Sequence, residues 1–343
     1  MTSNTIFFLL LALCNAAILY WGLRVLPGER MQILASVPLY HRNDGLWQGV
    51  NLTWYGVLQA VAITFAIALT LLLASSAGVP TLSIALTLAA VLAAALPAAS
   101  LVARLVERRR GTLTVGGAVF VSTLLVPWVA LAVDGLLGGA HALATVAAMA
   151  VAYPIGEGIG RLACISFGCC YGRRLADCGP WLRALLGWRP AVVVGATRKA
   201  AYAGHCEGEP LLPVPALSSI VLSVAGLAGV PLYLAGSFRA AIALSLAVAF
   251  LWRFASEFLR ADYRGEGRLS AYQWMALGCL VYSEVAVMLV GSQDLTPNIQ
   301  LGLPVLASPI ALLALSLLGA IVFVHLGVSR VTGASIRLEV REP

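Results

Sequence analysis

The chain has 343 residues, of which 60% are hydrophobic and only 11% are charged, with a net charge of +7. Ordinary soluble domains contain about 25% charged residues. The composition therefore excludes a water-soluble enzyme, a disordered protein and a secreted disulfide scaffold, because so few charges cannot solvate so much apolar surface. Lipid has to be the main solvent of this protein.

Apolar stretches of about 20 residues, long enough to cross a bilayer as helices, follow one another along the chain. They predict an all-α fold, a polytopic membrane helix bundle with about nine spans. The first stretch has no basic segment before it, so we interpret it as a retained helix rather than a cleaved signal peptide. The predicted spans lie at about 5–25, 50–75, 80–103, 113–137, 139–165, 213–236, 238–261, 271–291 and 304–328.

The longest polar stretch, at about 171–212, is rich in Gly, Pro, Arg and Trp. It predicts a small extramembrane cap inserted between the fifth and sixth spans. No repeat and no low-complexity linker divides the rest of the chain.

Arginines are concentrated in alternate loops, which makes one side of the predicted bundle basic. The positive-inside rule would place that side in the cytoplasm and the N-terminus outside. No basic tract interleaved with aromatic residues is present, so we expect anionic lipid headgroups, and no nucleic acid, as partners. The basic residues that define this side are Arg24, Arg30, Arg42, Arg104, Arg108, Arg109, Arg110, Arg173, Arg174, Arg183, Arg189, Arg198, Lys199, Arg260, Arg264 and Arg268.

Two clusters of ionisable residues lie within or at the end of apolar spans, where charges are costly. In the first, Glu157 and Arg161 are four residues apart and share a helix face, so they can neutralise each other. Gly156 and Gly160 have the spacing that allows close helix packing. A packing seam with an internal ion pair and a functional site both remain open for this cluster.

The second cluster is Arg253, Glu257 and Arg260, spaced i, i+4, i+7 along one predicted helix face. One carboxylate between two guanidiniums would leave positive charge to spare. Alternatively, arginines at the end of a span can extend their charged groups to the membrane–water interface without binding a ligand. Because both clusters end spans on the same side, we favour a shared anion site.

Seven cysteines are present, and Cys164, Cys169, Cys170, Cys178 and Cys206 fall in or near the cap. Their spacing is not a standard zinc pattern, so we expect no metal ion. A disulfide involving Cys178 or Cys206, and redox-active thiols at Cys169 and Cys170, remain open.

Three motifs together resemble the bacterial prolipoprotein diacylglyceryl transferase family. The central family signature, G-R-x-G-N-F-x-N-G-E-x-x-G-R, is matched in its glycine and arginine frame by Gly160-Arg161, Gly168 and Gly172-Arg173. The late motif R-F-x-x-E-F-x-R is matched by Arg253-Phe254, Glu257-Phe258 and Arg260. An early W-Y-G is matched by Trp54-Tyr55-Gly56.

The resemblance implies transfer of the diacylglyceryl group of phosphatidylglycerol to the cysteine of a lipobox-containing prolipoprotein, in the bacterial cytoplasmic (inner) membrane. It implies catalytic roles for Arg161, Arg253, Glu257 and Tyr55: the arginines stabilise charge on the departing phosphate, Glu257 orients Arg253, and Tyr55 donates to the lipid headgroup. No cofactor is implied. The implied substrate-binding residues are Gly160, Gly168, Gly172, Arg173 and Arg260, and Arg260 would also stabilise the phosphate charge. Glu157, from the first cluster, is a further candidate for substrate binding.

The resemblance also divides the chain into an N-terminal extra span and loop at 1–45, a transferase-like core at 46–295, and a C-terminal extra span and tail at 296–343. In the family the motif loops face outwards, opposite to the positive-inside prediction. We favour the outward orientation, since arginines that bind phosphate are functional charges.

The chain lacks family residues that are expected to accept or donate protons. Val115 replaces the family histidine in Thr114-Val115-Gly116-Gly117, and Val214-Pro215 replaces a histidine-proline pair. Cys164, Phe167 and Cys169 replace two asparagines and a glutamate of the signature. Glu157, Asp134 and His205 are candidate bases.

We therefore expect a divergent paralogue that keeps the lipid-binding frame. The alternatives are a non-catalytic phospholipid-binding or translocating protein, and a membrane thiol oxidoreductase.

Overall fold

A computed structural model describes residues 2–106, 115–262, 267–291 and 294–339. Arg108, Arg109, Arg110, Thr114 and Arg264 lie outside the described residues. The helices of the described chain, in order, are α1 (Ser3–Val25), α2 (Trp54–Ser76), α3 (Thr81–Val106), α4 (Val115–Leu137), α5 (Ala142–Phe167), α6 (Pro180–Leu186), α7 (Lys199–Tyr202), α8 (Val214–Leu234), α9 (Phe238–Glu257), α10 (Ala271–Leu289), α11 (Ile299–Leu306) and α12 (Pro309–Gly327).

Within the described residues, nine of these helices are long and apolar enough to cross a membrane, namely all except α6, α7 and α11. The predicted helix bundle and its number of spans are therefore confirmed. The starts of two spans differ from the prediction for local reasons. The Thr53 side chain caps α2 by accepting from the Gly56 amide, and Ser308 caps α12 by accepting from the Ala311 amide.

Helix α5 is the centre of the bundle and packs against α2, α4, α8 and α9. Small residues permit this close packing, as the glycine spacing predicts. A Cβ added to Gly156 would lie 2.6 Å from the Ala66 Cβ of α2. On the other side of α5, the Ser219 hydroxyl of α8 donates to the Gly158 carbonyl at 2.6 Å. The buried position of α5 brings its ionisable residues into the middle of the protein.

A three-stranded antiparallel sheet, in the order β1-β2-β5, lies outside the predicted elements. It joins β1 (Ile33–His41) and β2 (Trp47–Thr53), before α2, to β5 (Val328–Ile336), after α12. A tight turn with Gly45 at φ 81° connects β1 to β2. The Thr53 hydroxyl donates to the Gly327 carbonyl at 3.0 Å, which ties the start of α2 to the end of α12.

The predicted cap is present between α5 and α8. It contains α6, α7 and a short two-stranded pairing of β3 (Ala191–Val192) with β4 (Pro210–Leu211) around a small buried core. The buried Arg198 guanidinium donates to the carbonyls of Leu26 and Gly28 at the end of α1. The Thr197 hydroxyl donates to the Gln32 side chain at 2.6 Å, just before β1.

The cap and the sheet therefore lie at the same end of the bundle. The start of α1 lies at the opposite end, where the Asn4 amide donates to the Pro297 carbonyl at 2.9 Å.

Candidate functional site

A cavity of about 470 Å³ opens within the bundle towards the end that carries the cap. Its walls come from α2, α3, α4, α5, α9 and α10 and are mostly apolar. The charged lining residues are confined to one end, where α5 and α9 finish. Apolar lining residues include Ile63, Ile67, Leu88, Leu92, Val126 and Met149. The cavity thus combines one polar end with a lipophilic interior.

At the polar end, one carboxylate lies between two guanidiniums. Glu157 forms an ion pair with Arg161 on its own helix, as the four-residue spacing predicts, and Arg253 Nη1 of α9 lies 3.3 Å from Glu157 Oε1. The Tyr153 hydroxyl donates to the other carboxylate oxygen. Arg161 Nε is buried and has no acceptor among the described residues. This group, Arg161–Glu157–Arg253, has one net positive charge and an unfilled donor.

Helix α4 and helix α10 hold the Arg253 side chain from the other side. The guanidinium carbon lies 5.6 Å from the Tyr272 ring centroid, a cation–π contact. A Cβ added to Gly116 of α4 would lie 2.3 Å from Arg253 Nη2 and 2.6 Å from the Tyr272 ring. Gly116 therefore leaves the space that Arg253 occupies.

A second group, Arg260–Glu257–Asp262, lies beside the first one just after the end of α9. Arg260 Nε and Nη2 donate to the two Asp262 oxygens at 2.8 and 2.7 Å, and Nη1 lies 3.5 Å from Glu257 Oε1. Two carboxylates face one guanidinium, so this group has one net negative charge. Arg260 also pairs with Gly172 of the cap in a backbone bridge.

The predicted partnership between Glu257 and Arg253 is wrong. Glu257 pairs with Arg260 and accepts from the Ser270 hydroxyl at 3.5 Å, whereas Arg253 pairs with Glu157. The physical reason is that α9 ends at Glu257, so Arg260 turns back onto that carboxylate. Arg253 meanwhile faces α5.

The remaining predicted site residues divide into those that line the cavity and those that do not. Tyr55 and Gly160 line it, and the Tyr55 ring packs against Phe167 with centroids 5.7 Å apart. Gly168 and Gly172 instead shape the backbone. Gly168 ends α5 at φ 71°, and a Cβ on Gly172 would lie 2.3 Å from the Leu212 carbonyl oxygen.

Arg173 lies away from the cavity. It is exposed, and its guanidinium donates to the Asp177 carbonyl at 3.3 Å on the surface of the cap. Its side chain therefore stabilises a turn of the cap, while its backbone amide bonds the Leu259 carbonyl at 2.9 Å. This arrangement does not bring the Arg173 charge to the polar end of the cavity.

The left-handed turn at Gly168 folds two cysteines back onto a third. The Cys169 amide donates to the Cys164 carbonyl at 3.1 Å, and Cys170 has a φ of 56°. The Sγ atoms of Cys164, Cys169 and Cys170 all lie within 4.8 Å of one another. Hydrogen bonding with the other two thiols, together with burial, raises the pKa of the Cys169 thiol well above its usual value. We call these three residues the thiol cluster.

The other cysteines do not form the disulfide that the sequence left open. Cys178 and Cys206 are both buried free thiols within the cap. Cys206 Sγ lies 3.0 Å from the Gly204 carbonyl oxygen, and Cys178 Sγ lies 3.3 Å from the Arg174 carbonyl oxygen. Each thiol donates to a nearby backbone group.

Of the three candidate bases, only Glu157 lines the cavity. Both of its oxygens are engaged, one by the two arginines and the other by Tyr153. Asp134 is 18 residues along α4 from Gly116, which separates them by about 27 Å at 1.5 Å per residue. His205 is exposed on the cap. Val115, at the position of the family histidine, begins α4.

Several residues of the site were not found by sequence reasoning. Tyr153 lies one turn before Glu157, and this i, i+4 spacing could have identified it. Asp262 follows the second cluster by two residues. Gly116 and Tyr272 are recognisable only from the packing of α4 and α10 against α9.

The fold and the site define a multi-pass membrane protein with a mostly apolar cavity that ends in an arginine-rich group. Residues 46–289 match the family model for prolipoprotein diacylglyceryl transferase. The match covers more than two thirds of the chain, so the protein belongs to this family of membrane transferases. No curated protein matches the chain in a sequence search.

Proposed function

We propose that this protein transfers the diacylglyceryl group of phosphatidylglycerol, or a related anionic phospholipid, to a cysteine thiol of a lipobox-containing protein. The single observation that supports this proposal is the position of Arg161–Glu157–Arg253 at the polar end of an apolar cavity. The net positive charge of the group suits a phosphodiester, and the apolar walls suit acyl chains.

The proposed reaction forms a bond from sulfur to a glyceryl carbon and breaks the bond from that carbon to a phosphate oxygen. The electron pair of the broken bond remains on the phosphate, which leaves as glycerol phosphate, and the proton of the acceptor thiol passes to solvent. Arg161 and Arg253 would stabilise this developing charge most strongly because the cavity has a low dielectric constant. Arg161 Nε, which has no acceptor among the described residues, would donate to a phosphate oxygen.

Glu157 and Tyr153 would act as positioning residues. The Glu157 carboxylate holds both guanidiniums in place without neutralising them completely. The Tyr153 hydroxyl fixes the carboxylate from the opposite side. Tyr55, on the cavity wall, would donate to the headgroup.

The acyl chains would leave the cavity between α2 and α3. These helices follow each other in the chain and line the same cavity, through Ile63 and Ile67 on α2 and Leu88 and Leu92 on α3. They make few contacts with each other, whereas α3 packs closely on α4. A lateral opening at this position would let a lipid enter from the bilayer.

We place the protein in the bacterial cytoplasmic (inner) membrane, with the cap and the sheet on the outer face. The site lies at that end of the bundle, where an exported lipobox peptide would meet it. Cysteine accessibility tests this orientation: a cysteine introduced at the exposed Trp181 of the cap should react with a membrane-impermeant maleimide in intact spheroplasts. Reaction only after lysis would reverse the orientation.

The decisive experiment incubates the purified protein with headgroup-labelled phosphatidylglycerol and a lipobox peptide. We expect a thioether-linked peptide and labelled glycerol phosphate in equal amounts. The Arg161→Ala variant should lose about 10²- to 10³-fold in turnover, the usual effect of removing one such donor. Equal rates in this variant and the wild type would contradict the proposal.

Phospholipid binding without transfer is the second candidate function. One observation favours it: among the described residues, no carboxylate or histidine with an unoccupied oxygen or nitrogen lines the cavity to accept the thiol proton. Saturable phosphatidylglycerol binding with no labelled glycerol phosphate released would establish this function instead.

A further inference from the structure

The thiol cluster lies beside the arginines at the polar end of the cavity. All three cysteines line this cavity together with Arg161. Cys164 is on the last turn of α5, and Cys169 and Cys170 follow the left-handed turn at Gly168. The chain thus reverses sharply to place three sulfur atoms together, although their spacing in the sequence matches no standard metal motif.

The separations between these sulfur atoms suit one bound ion. Cys164 Sγ and Cys170 Sγ are 3.7 Å apart. Zinc–sulfur bonds of about 2.3 Å in a tetrahedron require sulfur atoms roughly 3.8 Å apart. The other separations do not exceed 4.8 Å, so a side-chain adjustment of about 1 Å would complete the geometry. Thiolate ligands favour zinc over hard cations.

The surroundings also suit the charge of such a site. Three thiolates around a divalent cation carry one net negative charge. Arg161 Nη1 lies 4.0 Å from Cys170 Sγ, close enough for its guanidinium to offset that charge. Because the cluster lines the cavity, three protein ligands would leave the fourth position facing the substrate, as in catalytic rather than structural zinc sites.

We propose that Cys164, Cys169 and Cys170 bind one Zn²⁺ ion whose fourth position takes the acceptor thiol. This role rests on the proposed transferase function. A thiol that coordinates zinc loses its proton, which passes to solvent. The bound thiolate then forms the carbon–sulfur bond while the phosphate leaves with the electron pair of the carbon–oxygen bond. The ion would thus activate the acceptor thiol, because neither Val115 nor the fully engaged Glu157 can accept the thiol proton.

The binding site is tested first by metal content, independently of activity. Wild-type protein is purified in detergent with a phosphine reductant, and zinc is measured by mass spectrometry alongside a count of free thiols. We expect one zinc ion per chain, and almost none in the Cys169→Ala/Cys170→Ala variant. The matched control is Cys279→Ala, which removes a buried thiol of α10 outside the cluster and should keep the ion.

Cobalt substitution identifies the ligands. The reloaded wild-type protein should show thiolate-to-cobalt charge-transfer absorption, and Cys164→Ala should weaken cobalt binding by about 10- to 100-fold or more. Copper alone in the purified protein would contradict the proposed zinc site. Equal zinc content in the wild type and in the Cys169→Ala/Cys170→Ala variant would contradict it as well.

The role of the zinc ion is tested by removing it with a chelator and measuring both lipid binding and transfer. Phosphatidylglycerol binding should persist, while transfer to the lipobox peptide should fall at least about 100-fold and return with zinc. If zinc is bound but its removal leaves transfer unchanged, the acceptor role is wrong and the transferase function stands. If the zinc-loaded protein binds lipid and never transfers it, the transferase function fails, and with it the acceptor role.

Discussion

Two groups of arginines and carboxylates meet at the polar end of the cavity, and they have opposite compositions. In Arg161–Glu157–Arg253, two guanidiniums share one carboxylate, and Arg161 Nε has no acceptor among the described residues. In Arg260–Glu257–Asp262, one guanidinium faces two carboxylates, and each of its three nitrogens has a partner.

From this difference we infer that the first group binds a ligand and that the second group is structural. The first group has charge and a donor for an anionic ligand. In the second group every guanidinium nitrogen already has a carboxylate partner and the net charge is negative. This group connects the end of α9 to the cap through the bridge between Arg260 and Gly172. Arg161, Arg253 and Arg260 were all expected to contact the phosphate, since three arginines near one site look alike in a sequence. The number of carboxylates around each arginine distinguishes their roles.

The largest expected effect is the loss of stability in Arg260→Ala. This change leaves two carboxylates without their cation, and their side chains are only 4% and 7% exposed. Breaking such a buried pair costs about 3 to 5 kcal/mol. Thermal unfolding in detergent, followed by tryptophan fluorescence, measures the loss.

The matched control for Arg260→Ala is Arg42→Ala, which breaks the exposed pair with Asp44. It should cost less than about 1 kcal/mol. If Arg260→Ala keeps the wild-type unfolding temperature but loses lipid binding, Arg260 belongs with the ligand-binding group and the distinction between the two groups fails.

The next largest effect is on turnover, in Arg253→Ala. Removing this guanidinium should lower transfer by about 10²- to 10³-fold, while Glu157 keeps its pair with Arg161. The protein should still insert and purify. The control is Arg239→Ala on the same helix, at the opposite end of the bundle, where the guanidinium donates to the Val290 carbonyl. Similar rates in the two variants would remove Arg253 from the catalytic set.

A smaller effect is expected in Gly116→Ala, which leaves Arg253 in the chain but displaces it. The new methyl group would lie 2.3 Å from Arg253 Nη2, so the guanidinium has to move. Misplacement by about 1 Å can cost up to about 100-fold in rate, and we expect roughly 10-fold, since the side chain is flexible. Gly135→Ala on the same helix meets no atom within 4 Å and should be silent. Equal turnover in both variants would show that the position of Arg253 is not critical.

The spans and the pair between Glu157 and Arg161 were predictable because both depend on local sequence. Apolar length fixes a span, and a spacing of four residues fixes a shared helix face. The choice between Glu157 and Glu257 as the partner of Arg253 was not predictable. It depends on where α9 ends and how it packs on α5, which are tertiary properties.

The sheet and the thiol cluster escaped prediction for related reasons. Strand β5 follows the last span and pairs with β2, which lies about 280 residues earlier in the chain, so no local pattern connects them. The thiol cluster depends on two left-handed residues, Gly168 and Cys170, where the chain reverses. A glycine in a sequence permits that conformation but does not require it.

The smallest expected effect is that of Arg173→Ala, although this arginine belongs to the motif that carries the family resemblance. Among the described residues, its exposed guanidinium bonds only a carbonyl of the cap. Its removal should therefore change turnover less than about twofold and stability by about 0.5 kcal/mol or less. The structural role of this segment lies in its backbone, since the Arg173 amide bonds the Leu259 carbonyl and the Gly172 position has no room for a Cβ. Gly172→Ala should therefore be the more damaging of the two neighbouring changes when unfolding temperature and turnover are measured side by side. The reverse order would mean that the Arg173 charge reaches the phosphate, and that the cap moves onto the cavity when lipid binds.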